Sequence, residues 1–301
     1  MSTAPQIRLG LIGYGEIGSC LGAGLRANGL VSVSSYDIAA FDGPYSGLIQ
    51  SRAATAGVTL VRSAAELAGA ADIILGVTPG SSSLDSAAAF APHLTSSHVF
   101  ADVASATPKV KKGVAERLAG TGALLADASI VGTPRDGVGL PILSSGPAAE
   151  AVRDALVPWG MRIEAVGPVL GTASGIKILR SVLMKGIEAL LGEMMLGARY
   201  YGIDAQVLAS ASKSLSGRPF LDIAGGMLTT SVIHAKRRAE EAEMAAEALR
   251  DAGVEPIMTL PTAARLRLLE SLGLKEKLGG KVPARYEDAL ELIEQALRDA
   301  S

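Results

Sequence analysis

A glycine turn near the start of the chain narrows its possible folds more than any other segment. The run Arg8-Leu9-Gly10-Leu11-Ile12 is apolar and leads into Gly13-Tyr14-Gly15-Glu16-Ile17-Gly18, a G-x-G-x-x-G pattern. Residues Ser19 to Asn28 then read as a helix. A strand, a tight turn and a helix N-terminus together form an anion site, because free backbone amides and the positive end of the helix dipole face the same point. In this pattern Gly13 allows the turn, Gly15 lets a pyrophosphate approach the backbone, and Gly18 lets the helix pack on the strand.

A glycine triplet alone carries little information, and its glycines could serve packing only. A second strand, Leu30 to Tyr36, ends at Asp37, near the spacing at which a dinucleotide fingerprint places an acidic residue. A carboxylate there accepts hydrogen bonds from ribose hydroxyls and repels a 2′-phosphate. No Arg or Lys follows until Arg52. NAD is therefore the expected cofactor, with NADP as the alternative.

The remaining pattern supports a doubly wound α/β sheet. Strands are expected at Gln6–Ile12, Leu30–Tyr36, Val58–Val61, Ala71–Val77, His98–Asp102 and Ala123–Asp127, alternating with helices that include Ser51–Ala56, Leu84–Phe90 and Pro108–Leu118. Such spacing implies parallel strands with right-handed crossovers and a ligand crevice beyond their carboxyl ends. Ser63 and Glu66 fit a capping box. Leu140–Ser145 and Arg162–Val166 read as further strands around the helix Pro147–Leu156.

After Gly167 the pattern changes to helices alone. A long interdomain helix is expected over Thr172–Tyr200. It is followed by helices at Asp204–Leu215, with Asp204 as N-cap, Phe220–Gly225, Thr229–Ala252, Thr259–Leu272 and Pro283–Ala300, with a break at Gly225-Gly226. The expected organisation is a dinucleotide-binding domain over 1–167 and an all-α domain over 168–301 for substrate binding and dimerisation.

Composition excludes several classes. Of 301 residues, 49% are hydrophobic and 19% charged, enough apolar material for a sizeable core. A net charge of −2 gives no electrostatic case for nucleic acid. No apolar run reaches bilayer-spanning length, so no membrane partner is expected. The single cysteine, Cys20, cannot form an internal disulfide, and the N-terminus lacks a signal-peptide layout. A cytoplasmic protein is the expectation. His93 and His98 have no metal-ligand partner at suitable spacing, and no metal site is expected. There is no G-x-S-x-G elbow and no P-loop.

The long helix carries Gly171-x-Ala173-x-x-x-Lys177-x-x-x-Ser181. Lys177 and Ser181 lie one turn apart on one face. Apolar neighbours at Ile176, Ile178 and Leu179 suggest a largely buried helix. A buried lysine beside a positively charged ring has a lowered pKa and can exchange a proton with an alcohol.

These segments resemble the β-hydroxyacid dehydrogenases, relatives of 6-phosphogluconate dehydrogenase. The glycine turn, Asp102-Val103-Ala104-Ser105-Ala106-Thr107-Pro108, Asp127 to Gly132, and the Gly171 to Ser181 helix occur in that family's order. The resemblance covers about residues 6 to 200. The all-helical remainder, with Ser181 to Gly186 and His234 to Glu241, looks like a divergent branch. It implies a two-domain fold, a nicotinamide cofactor and Lys177 as catalytic lysine, with Ser181 beside it. Expected cofactor contacts are Gly13, Tyr14, Gly15, Glu16, Ile17, Gly18, Asp37, Val77, Thr78 and Ser105.

The chain departs from the family where substrate binds. Ser181 stands where members usually have Asn. Ala104, followed by Ser105, stands where many carry Ser or Asn. The Pro-Val-Ser-Gly-Gly segment becomes Ser129-Ile130-Val131-Gly132-Thr133. Expected substrate contacts are Ser105, Val131 and Gly132, with His234 and Arg237 as replacement anion contacts. Arg237 could equally pair with a glutamate on a solvated helix face. The resemblance implies hydride transfer between nicotinamide and a small, anionic β-hydroxy acid or related alcohol, in a homodimer. Imine reductases share the architecture but commonly place Asp or Tyr where Lys177 stands. A catalytically silent dinucleotide-binding protein is the third reading.

Overall fold

The computed structural model describes residues 7–300, and the expected strand start at Gln6 lies outside them. Among the described residues eight strands form one sheet: β1 Arg8–Ile12, β2 Ser32–Tyr36, β3 Thr59–Val61, β4 Ile73–Gly76, β5 Val99–Asp102, β6 Leu124–Ile130, β7 Pro141–Ser145 and β8 Arg162–Ala165. Their order is β3-β2-β1-β4-β5-β6-β7-β8, and only β6 and β7 pair antiparallel. The helices between them are α1 Glu16–Ala27, α2 Ser46–Ala56, α3 Ala64–Ala70, α4 Ser83–Phe90, α5 Pro108–Leu118 and α6 Ala149–Leu156.

The sheet is covered on both faces, as parallel sheets require. Along β4, Ile73 and Leu75 join a core cluster with Leu11, Leu21 and Leu25, while Ile74 joins the opposite cluster with Leu67, Phe90 and Phe100. This alternation follows from the two-residue period of a strand. The chain reverses strand order beside β1 and β4, so the carboxyl ends of β1, β2, β4, β5 and β6 share one edge.

Beyond β8 the chain is helical: α7 Thr172–Tyr200, α8 Asp204–Leu215, α9 Phe220–Asp251, α10 Thr259–Ser271, α11 Leu274–Lys277 and α12 Tyr286–Asp299. One compact unit ends at Ser181 and the second begins at Val182. In the second, Val232, Ile233, Leu269, Leu274, Ala289 and Ile293 form the core.

Several local expectations need correction. Helix α1 begins at Glu16 rather than Ser19, which puts Gly15 at its N-cap. Helix α2 begins at Ser46 rather than Ser51, because Ile49 is buried and draws the preceding turn into the helix. Helix α9 runs unbroken through Gly225-Gly226. Two helical glycines cost only about 2 kcal/mol together, and buried Ile223, Thr229 and Val232 hold both flanks. Asp204 is the first helical residue of α8, after Ile203 at the cap, so it meets the positive helix end as a charge and not as a cap. The Ser63 hydroxyl does accept from the Glu66 amide at 3.1 Å, although Glu66 returns its bond to the Arg62 amide.

Candidate functional site

The turn after β1 has the shape its glycines suggest. Gly13 has φ +95°, which favours glycine, and its amide donates to the Tyr36 carbonyl at 2.8 Å. A Cβ on Gly18 would lie 2.2 Å from the Gly13 carbonyl oxygen, so α1 presses directly on the turn. A Cβ on Gly15 would meet nothing within 4 Å. Gly15 thus leaves an open concavity at the N-terminus of α1, where no side chain caps the helix. Glu16 is exposed and Ile17 half-buried. The Tyr14 ring turns inward, fully buried against Gly22, so only its backbone faces the turn.

Asp37 closes the other side. Its carboxylate accepts from the Tyr14 amide at 2.7 Å and from the Ala39 amide at 2.8 Å. Each oxygen keeps a second lone pair for a ligand hydroxyl. A cavity of about 470 Å³ opens here, lined by Gly13, Gly15, Asp37, Val77, Thr78 and Asp85 among others. The open cradle at Gly15, the free acceptors of Asp37 and this volume fit an adenine dinucleotide.

The loops after β4 and β5 are pressed together. A Cβ on Gly80 would stand 2.0 Å from the Ser105 carbonyl oxygen. The Val103 amide donates to Gly76 at 2.8 Å, and Asp102 Oδ1 receives the Ala104 amide at 3.0 Å. This presents Ser105 at the surface, where its hydroxyl accepts a hydrogen bond from Lys177 Nζ. Burial first, and the nearby positive Lys111 second, hold the Lys177 amine below the ordinary lysine range.

Behind this pair sits a buried ion cluster. Lys111 Nζ donates to the Asp102 carbonyl at 2.7 Å and lies 3.2 Å from Asp102 Oδ2 and 3.5 Å from Asp127 Oδ1. The three side chains are 1%, 5% and 0% exposed. Asp127 Oδ2 also receives the Ser174 amide at 2.9 Å and the Ser145 hydroxyl at 3.4 Å. Ser145 Oγ receives the Ala173 amide at 2.9 Å. The first turn of α7 is therefore capped by side chains of β6 and β7.

The other expected residues are distributed differently. Ser181 is exposed, one turn beyond Lys177. The Val131 amide donates to Pro141 at 2.9 Å, and a Cβ on Gly132 would stand 2.4 Å from Pro141 Cδ, so both pack against the start of β7. His234 and Arg237 lie on α9 in the second unit, both exposed. Arg237 pairs with Glu241 one turn on. His98 is buried and bonds the Thr95 amide and the Ala68 carbonyl, a structural role. Among the described residues no three metal-binding side chains cluster, and no helix is long and apolar enough to cross a membrane.

The sequence points to the segments holding Asp102 and Asp127 but gives those two residues no role, and no motif marks Lys111 or Ser145. One signal was present: Lys111 falls on the stripe with Val114 and Leu118 that α5 buries. The expectation of a buried α7 around Lys177 also fails, because Ile176 is 42% and Leu179 72% exposed. Near Lys177 the fully buried residues of α7 are the small Ala173 and Ser174.

Comparison with known proteins fits this geometry. The NAD binding domain of 6-phosphogluconate dehydrogenase matches residues 8–167, and a domain of unknown function, DUF1932, matches residues 198–269. A conserved hypothetical protein from Sinorhizobium meliloti 1021 is 29% identical, with 97% of each chain covered and a TM-score of 0.62. The conserved protein MTH1747, described as structurally similar to 3-hydroxyacid dehydrogenases, is 28% identical over 92% of this chain and 100% of its own, with a TM-score of 0.61. An imine reductase variant from Myxococcus stipitatus, in complex with NAD+, is 16% identical over 97% of this chain and 100% of its own. Its TM-score of 0.74 is a likeness of fold.

Proposed function

Because the chain belongs to the family defined by the NAD binding domain of 6-phosphogluconate dehydrogenase, we propose that it is an NAD-dependent oxidoreductase acting on the CH–OH group of a small hydroxy acid or related alcohol. The observation that carries this reading is the Lys177 amine, half-buried, bonded to Ser105 at the carboxyl edge of the sheet and held below the usual lysine range by burial. The glycine turn, Asp37, Val77 and Thr78 would hold the cofactor, which when bound accepts or supplies the hydride.

The protein side of the chemistry is proton transfer. Neutral Lys177 takes the proton from the substrate hydroxyl during oxidation, and the ammonium returns it during reduction. Ser105 orients the amine and, with Ser181 and the Val131-Gly132 loop, holds the substrate. A beta-keto acid product could then lose carbon dioxide.

The test is a screen of hydroxy acids, aldehydes and cyclic imines with NAD and NADP in parallel, on the native chain and on Lys177→Ala. The expected result is turnover of a hydroxy acid that Lys177→Ala loses while still binding NAD. Near-full turnover by the variant would overturn the role of Lys177. Turnover of imines alone would favour an imine reductase, and cofactor binding with no turnover a silent binding protein.

We also propose a homodimer in the cytoplasm. Leu179, Val182, Leu183, Met184 and Ile187 run exposed along α7, and a largely apolar groove of about 560 Å³ lies in the second unit. Apolar surface of this extent calls for a cover. Sedimentation as a monomer alone would refute the dimer.

A further inference from the structure

We propose that Asp127 is the positioning residue for Lys177: it anchors the first turn of α7 and sets the charge behind the amine, with Lys111 as its fixed counter-ion. The inference rests on the reading of Lys177 as the proton-transfer group.

The geometry separates two jobs in one carboxylate. Asp127 Oδ2 takes the Ser174 amide at 2.9 Å, three residues before Lys177. Ser145 takes the adjacent Ala173 amide and itself donates to Asp127. Two of the first free amides of α7 are thus satisfied from neighbouring strands, which fixes where the helix starts and how it is rotated. Lys177 lies less than one turn farther on, so its direction follows from that anchor. A shift of about 1 Å at a proton-transfer group can lower a rate by about a hundredfold.

Asp127 Oδ1 does the second job. It faces Lys111 Nζ, which also faces Asp102. Two carboxylates and one ammonium leave a single negative charge, and the positive end of α7 opposes it. The groups facing Lys177 are Ser105 from the β5 loop and the positive Lys111 from α5. Removing the charge of Asp127 leaves Lys111 less compensated, which further disfavours the Lys177 ammonium.

The two jobs part in two substitutions. Asp127→Asn keeps an amide oxygen for Ser174 but removes the charge. Asp127→Ala removes both. The Lys177 ionisation is read without turnover, from the pH dependence of trace acetic anhydride labelling of Lys177 in the cofactor-free full chain, peptide by peptide in a mass spectrometer. Circular dichroism checks folding.

In both variants labelling of Lys177 is expected to set in at lower pH than in the native chain. Oxidation kcat is expected to fall about tenfold or more in Asp127→Ala and to be largely restored in Asp127→Asn. Should Asp127→Asn fail to fold, Asp102→Asn replaces it and must move the labelling the same way. Labelling that does not move, or a kcat equally low in Asn and Ala, overturns the proposal. If labelling moves but native turnover ignores the Lys177 ionisation, the proton-transfer reading fails while the positioning role stands.

Discussion

Asp37 receives the backbone amide of Tyr14 at 2.7 Å, so the carboxylate that follows β2 braces the glycine turn that follows β1. Its second oxygen holds the Ala39 amide at 2.8 Å. Charge and bracing separate in two variants. Asp37→Asn keeps an acceptor for Tyr14 and removes repulsion of a 2′-phosphate. Its preference for NAD over NADP is expected to narrow about tenfold, the equivalent of about 1.4 kcal/mol. Asp37→Ala loses both bonds and is expected to bind both cofactors more weakly. Kd values from cofactor fluorescence check both.

Gly15 and Gly18 stand three residues apart but answer differently to a methyl group. At Gly18 the methyl would meet the Gly13 carbonyl oxygen at 2.2 Å, a backbone atom that cannot yield without moving β1 or α1. Gly18→Ala is expected to destabilise the protein by about 3 kcal/mol. At Gly15 nothing lies within 4 Å, so a methyl there meets open space. Gly15→Ala is expected to keep the melting temperature and weaken NAD binding about tenfold, because the methyl fills the open concavity proposed to take the pyrophosphate. Thermal melts beside NAD titrations distinguish the two.

Lys177 must be neutral to accept a proton and charged to give one. Burial, with Lys111 adding to it, disfavours the charged form. Oxidation kcat/KM is therefore expected to rise with pH along a limb that lies below the range of a free lysine, about 10.4. Reduction is expected to fall along the same limb. Lys177→Arg, whose guanidinium stays protonated, is expected to lose at least about a hundredfold and the limb with it. Initial rates across the pH range check the sign in each direction.

The parallel sheet is legible in the chain because segments such as Leu9-Gly10-Leu11-Ile12 and Ile73-Ile74-Leu75 are apolar without alternation, which only a sheet covered on both faces accommodates. The glycine turn and the place of Lys177 on the long helix are legible because both are local in sequence. The cluster behind them is not. Lys109, Lys111 and Lys112 look alike in the sequence, and only Lys111 points inward. Its partners Asp102 and Asp127 come from two strands whose pairing must be known first. Gly225-Gly226 misleads in the opposite way: a local propensity suggests a break that the packing of α9 overrides.

Glu193 provides a stability test away from the glycine turn and Lys177. It is buried on α7 and accepts from the Met258 amide at 2.5 Å, the Thr259 amide at 3.0 Å and the Thr259 hydroxyl at 2.7 Å. The carboxylate thus caps the start of α10 from another helix. Burial alone would raise its carboxyl, but the Thr259 hydroxyl and the two amides hold it below the usual glutamate range. A depressed carboxyl contributes stability above its unfolded pKa, about 4.3, and loses it as pH falls through the lower folded value. Glu193→Gln is expected to cost about 1–2 kcal/mol at pH 7, since the amide keeps one acceptor and loses the charge-assisted bonds. The gap between variant and native chain is expected to close as the pH drops below 4, where the native carboxyl also loses its charge. Urea unfolding at pH 7 and at successively lower pH measures it, and a gap that does not change with pH would assign the role of Glu193 to packing alone.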